Sequence, residues 1–183
     1  MIKRNLLIAI LILCSIGTLK GQTASDSLAI VSAQWKVESP QKGLIYKYAS
    51  IPRLYQGPQS VSLIEVDPGA DLKVDVAVSD KMKETSKIAS EYNAIAAING
   101  SYFDMKRGNS VCFLKTDRQV IDTTLQSEFK QRVTGAISVR KRGMKLIPWN
   151  KQTEKNYKGK AGTILASGPL MLKDGQVCDW NSC

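Results

Sequence analysis

The stretch Ala96-Ala97-Ile98-Asn99-Gly100-Ser101-Tyr102-Phe103-Asp104 concentrates the residue types that a binding or reacting site needs. An apolar run leads straight into Asn-Gly, where the backbone can turn sharply and leave amide groups facing a ligand. Asn99 would sit at the end of a strand, Tyr102 and Phe103 would wall the site, and Asp104 would supply a carboxylate. The same pattern also suits a tight turn with an aromatic anchor and no chemistry. Ser167-Gly168-Pro169-Leu170 is alike in kind, since Gly-Pro after a strand is ordinary turn punctuation. The chain contains no histidine. Ser-His-Asp and Cys-His nucleophiles are therefore excluded, as are the ordinary zinc sites built on imidazole. Catalysis must draw on carboxylates, Lys, Tyr, hydroxyls or backbone donors, and the pattern calls for no metal and no cofactor.

The elements that must position these residues can be read along the chain. Met1, Ile2, Lys3 and Arg4 precede an unbroken apolar run from Leu6 to Cys14, the n-region and h-region of an export signal. The run is shorter than the roughly 20 residues that cross a bilayer, so no stable membrane span is expected. Cleavage is expected after Gly21, making residues 1–21 a signal peptide and the mature chain periplasmic or extracellular. Leu13 is bulky where a lipid-modified cysteine follows a small residue, so soluble export is favoured over a lipid anchor on Cys14. Residues 22–43 read as a linker with a first strand over 29–36, and residues 44–183 as the main domain. Strands are expected at 44–50, 61–66 and 72–78, the last two forming a hairpin around Asp67-Pro68-Gly69. Helical spacing of Met82, Thr85, Ile88, Ala89 and Tyr92 predicts a helix over 81–92. The small apolar run 94–98 reads as a central strand buried on both faces. Further hairpins are expected at 111–121 and 136–147, with a polar Lys-rich loop over 150–160 and short strands at 164–166 and 170–172. The fold class is α+β: a strand-rich mixed sheet with hairpins and one main helix.

Together, in this order and spacing, the two segments resemble the phosphodiester glycosidase family, known for removing N-acetylglucosamine from a phosphodiester. The matching residues are Ile98-Asn99-Gly100-Ser101-Tyr102-Phe103-Asp104, the hairpin over 111–121, Thr134-Gly135-Ala136, and Ala166-Ser167-Gly168-Pro169-Leu170-Met171 with Asp174-Gly175. Ser101 stands where the family commonly has a second glycine. The family also continues into an Arg-Thr strand and an Asp followed by a glycine run, neither of which follows here. The domain is therefore expected to be its N-terminal portion only, truncated at the C-terminus, with weak or absent activity. The resemblance implies hydrolysis of the bond between a sugar anomeric carbon and phosphate. It assigns catalysis to Asp104 and Asn99, and substrate contacts to Gly100, Ser101, Tyr102, Ser167 and Gly168. Lys106 or Arg107 would neutralise phosphate charge.

Charge and cysteines bound the partners. The formal charge is +10, and removal of Lys3, Arg4 and Lys20 leaves 23 basic against 16 acidic residues, or +7. Nucleic acid is the usual partner for such a charge, but export makes a phosphorylated sugar or an envelope glycan the expected one. The rival readings are a non-catalytic exported module that binds anionic glycans, and an inactive fragment. Cys112, Cys178 and Cys183 would survive processing, and an oxidising compartment permits Cys178 to pair with Cys183.

Overall fold

The computed structural model describes residues 24–140, 143–157 and 162–178. The export-signal segment, Cys14 and Cys183 lie outside the described residues. The chain divides into two compact units, residues 1–67 and 68–183.

The first unit is a three-stranded antiparallel sheet, β1 (Lys36–Gln41), β2 (Leu44–Leu54) and β3 (Gly57–Val66), in the order β1-β2-β3. It is flanked by α1 (Ala24–Val31), so of the strand expected over 29–36 residues 29–31 are helical, 32–35 belong to no helix or strand, and Lys36 opens β1. The reason lies in tertiary contact. Ala29, Ile30, Ala33 and Trp35 pack against buried Ala49, Ile51 and Leu54, a cluster that a helix face covers. Asp26 of α1 accepts a hydrogen bond from the Tyr55 amide at 2.8 Å, which ties the helix to the β2–β3 turn. That turn places Tyr55 and Gln56 at φ 53° and 66°, the left-handed pair of a type I′ hairpin. β3 therefore pairs with β2, from Leu44↔Val66 to Leu54↔Gly57, and not with residues 72–78. Those residues form no strand. The eleven-residue β2 offers β3 a longer alternating partner than the short run beyond Asp67-Pro68-Gly69.

The second unit is built on a five-stranded sheet in the order β5-β4-β8-β6-β7. Its strands are β4 (Leu114–Thr116), β5 (Gln119–Asp122), β6 (Gly135–Arg140), β7 (Gly143–Pro148) and β8 (Thr163–Ser167). The two expected hairpins form, β4 with β5 and β6 with β7. All described ladders are antiparallel, which corrects the expected mixed sheet to an antiparallel one. The fold remains α+β, as the sequence indicates.

Helices α2 (Thr85–Glu91), α3 (Gln126–Gln131) and α4 (Lys151–Lys155) complete the unit with the small hairpin β9 (Leu172–Lys173) and β10 (Gln176–Val177). The expected helix over 81–92 is present as α2, but it is not the only described one. α4 lies within the expected Lys-rich loop, because Asn150 caps it by accepting the Thr153 amide at 2.8 Å. The core gathers Val111, Cys112, Phe113, Val133, Ala136, Trp149, Ile164 and Ala166. Trp149 sits between the rings of Phe113 (5.1 Å) and Tyr157 (5.5 Å). Its indole N–H donates to Glu154 at 2.9 Å, so the polar edge of the ring is satisfied at low exposure.

The expected central strand over 94–98 does not form. Ile95 and Ile98 are 50% and 77% exposed, and these residues join no ladder. The central place belongs to β8, which has Thr163, Ile164, Leu165 and Ala166 buried and pairs with β4 on one side and β6 on the other.

Candidate functional site

The two sequence segments singled out above meet at the C-terminal end of β8. Gly100 lies against this strand so closely that a Cβ there would come 2.7 Å from Leu165 Cδ2. The Ser101 hydroxyl donates to the Ala166 carbonyl at 2.8 Å, and the Tyr102 hydroxyl donates to the Gly168 carbonyl at 2.7 Å. Three consecutive residues of the first segment thus run alongside the second. The Gly168–Pro169 peptide is cis. Gly168 also needs its missing side chain, since a Cβ would lie 2.2 Å from the Arg132 carbonyl and 2.9 Å from the Thr134 nitrogen. Thr134 completes the junction, its Oγ1 accepting the Leu170 amide at 2.8 Å.

Beyond Tyr102 the chain forms a narrow loop. Val111 N–H donates to the Tyr102 carbonyl at 3.1 Å, and Asp104 N–H to the Asn109 carbonyl at 2.9 Å. Asp104 closes this loop with its carboxylate. Oδ1 accepts the amides of Lys106 (2.8 Å) and Arg107 (3.0 Å), and Oδ2 accepts Arg107 Nε at 3.0 Å. The Arg107 amide, then the Lys106 amide and the Arg107 guanidinium, hold its carboxyl below the usual aspartate value. A carboxyl so held stays ionised and does not serve as a proton donor near neutral pH. Arg107 is committed to Asp104, while Lys106 is exposed.

Asn99 is exposed and its Oδ1 accepts a hydrogen bond from Thr85 Oγ1 at the start of α2. Its amide nitrogen has no acceptor among the described residues, and neither do the backbone N–H groups of Gly100 and Ser101. These are the donors that an anionic or hydroxylated ligand would meet. Ser167 is half-buried at the end of β8. The structure therefore brings together Gly100, Ser101, Tyr102, Ser167 and Gly168, and connects Asp104 to them through the loop that Tyr102 starts. Asn99 is adjacent along the chain and held to α2 by Thr85.

One cluster was not singled out by the sequence. The Arg132 guanidinium stacks over the Tyr102 ring at 3.8 Å from its centroid, and Arg132 Nε donates to Glu128 Oε2 at 2.7 Å. Glu128 is buried on α3, and its hydrogen bond raises the pKa of Arg132 further. Leu125, Phe129 and Val133 stand at helical spacing along α3 and its flanks, with Phe129 and Val133 on the core. That spacing was one signal for the element, and another was that Arg132 stands two residues before Thr134-Gly135, a segment already matched by resemblance. Cys112 lies beneath the site, fully buried. Burial raises its thiol pKa, against the opposing hydrogen bond from Ser101. Among the described residues Cys112 and Cys178 are free thiols, and no group of three or more Cys, Asp or Glu stands close enough to hold a metal ion.

Residues 92–182 match the family model described as phosphodiester glycosidase. This stretch of the chain is similar to the phosphodiester glycosidases. The matched range contains the whole of the junction described above, from Asn99 through Gly168. No curated protein and no solved structure matches the chain. Among the described residues, no helix is long and apolar enough to cross a membrane.

Proposed function

We propose that this chain is an exported phosphodiester glycosidase that hydrolyses the bond between a sugar anomeric carbon and phosphate, on a phosphorylated sugar or an envelope glycan. The observation that carries the reading is the convergence of the Asn99–Asp104 and Ser167–Gly168 segments at the end of β8, within the range matched by the family. Export rests on the basic and apolar N-terminal run alone.

The chemistry suits the groups present. A phosphate monoester leaves readily, so a strong general acid is less necessary than in other glycosidases. What the reaction does need is negative charge near the anomeric carbon, where positive charge develops as the C1–O bond breaks. Asp104, held ionised by its three donors, supplies that charge. The amide nitrogen of Asn99 and the backbone N–H groups of Gly100 and Ser101 are donors for phosphate or sugar oxygens. Tyr102 is fixed by Gly168 and forms the aromatic wall.

Asp104→Asn is the discriminating variant. Asparagine keeps an oxygen to accept the Lys106 and Arg107 amides, so the loop persists while the charge is lost. With a nucleoside diphosphate-linked N-acetylglucosamine as substrate, release of free sugar should fall by about 10²-fold or more, the usual effect of removing a preorganised electrostatic group. Wild-type turnover by the variant removes Asp104 from catalysis. Salt-sensitive retention of the wild-type protein on an anionic polysaccharide, with no sugar released, overturns the hydrolase reading in favour of a glycan-binding module.

A further inference from the structure

Arg132 combines features that a purely structural ion pair does not require. Its guanidinium is held from two sides, by the buried Glu128 carboxylate at 2.7 Å on Nε and by the Tyr102 ring at 3.8 Å beneath it. Both restraints leave the terminal nitrogens uncommitted. Among the described residues neither Nη atom has a hydrogen-bond partner, and the side chain is 40% exposed. A guanidinium fork with its Nε side fixed and its Nη edge open is preorganised for an oxyanion, because little side-chain freedom remains to be lost on binding.

Its position is equally specific. The aromatic ring beneath Arg132 belongs to the residue whose hydroxyl reaches Gly168, and the Arg132 carbonyl itself packs against Gly168. Arg132 is thus in contact with both segments of the candidate site. Arg107, the other arginine near the motif, is taken up by Asp104. We infer that Arg132 is the phosphate-binding residue of this site, its Nη edge receiving a non-bridging oxygen of a sugar-linked phosphate while Glu128 and Tyr102 hold the guanidinium in place. The inference rests on the hydrolase reading for the identity of the substrate, but the anion site itself is testable without turnover.

Binding of inorganic phosphate and of glucose 1-phosphate is measured by calorimetry on the full chain, with glucose as the uncharged control. The wild-type protein should bind the phosphorylated ligands more tightly than glucose. Arg132→Gln should weaken phosphate binding by about tenfold or more, the scale of one hydrogen bond to a charged group, and Arg132→Lys should fall between, keeping charge without the fork. Because Arg132→Gln leaves Glu128 buried and unpaired, the double variant Glu128→Gln/Arg132→Gln is measured beside it, with urea unfolding to confirm that each variant is folded. A folded double variant with phosphate affinity within about twofold of wild type overturns the proposal, on the same scale. So does a wild-type protein that binds phosphate no better than glucose. Turnover of a nucleoside diphosphate-sugar separates the two readings. If the wild type releases sugar and Arg132→Gln keeps its KM, the phosphate assignment fails and the hydrolase reading stands. If phosphate binding depends on Arg132 while no sugar is released, the anion site stands and the hydrolase reading fails.

Discussion

Asp104 shows how one side chain can satisfy both a structural and a chemical account. Its carboxylate accepts two amides and one guanidinium N–H within its own loop, which is what a turn-forming aspartate does. Those same donors depress its pKa, so the group that closes the loop is also kept charged at the place where the reaction would use a charge. The sign of the pH dependence follows. A carboxyl with a folded-state pKa below its unfolded value contributes stability that is fully present above the unfolded value and is lost as pH falls through the folded one. The window therefore opens below the ordinary aspartate value of 3.8. A carboxyl-detected NMR titration should place the Asp104 midpoint under that value, with faster amide exchange at Lys106 and Arg107 only at lower pH still. A midpoint at or above 3.8 would contradict the hydrogen-bond arrangement described.

At the scale of elements, the segment from residue 94 to the motif departs furthest from its sequence signature. Ala94, Ile95, Ala96, Ala97 and Ile98 have the composition of a buried strand, yet Ile98 is 77% exposed and forms no ladder. Composition reports only that a segment can be buried; a ladder also needs a free edge. Here β8 already pairs on both sides. The segment instead delivers Gly100, Ser101 and Tyr102 to the end of β8, where close backbone approach and two hydroxyl bonds hold it. Ile98→Ala should accordingly shift the urea midpoint little, by less than about 0.5 kcal/mol in stability, as for exposed substitutions in general. The same truncation in a buried strand would cost about 2–5 kcal/mol. α4 carries the converse lesson. Its lysines read as loop, but a capping bond from Asn150 and the tie of Glu154 to Thr124 and Trp149 make one short helix of them.

At the scale of the whole molecule, the export proposal makes its own prediction. The protein recovered outside the cytoplasm should begin at Gln22, which N-terminal sequencing or intact mass reads directly, and an intact Met1 on that material would refute cleavage after Gly21. Under that proposal the loss of Lys3, Arg4 and Lys20 would leave 23 basic against 16 acidic residues, an excess that would favour anionic envelope partners. By itself the sequence determined the α+β class, the hairpins around Asp117-Arg118 and between β6 and β7, the helix at Thr85–Glu91 and the resemblance that residues 92–182 carry, because these depend on local alternation, turn chemistry and motif spacing. It also excluded histidine chemistry outright. Only the tertiary structure decided which strand is central, that residues 29–31 are helical, and that Arg132 and Glu128 stand against Tyr102. Each of these turns on partners far away in the chain. Ser101 meets Ala166 and Tyr102 meets Gly168 across more than sixty residues, and no local pattern records which distant segment will occupy an edge, cover a face or hold a charge.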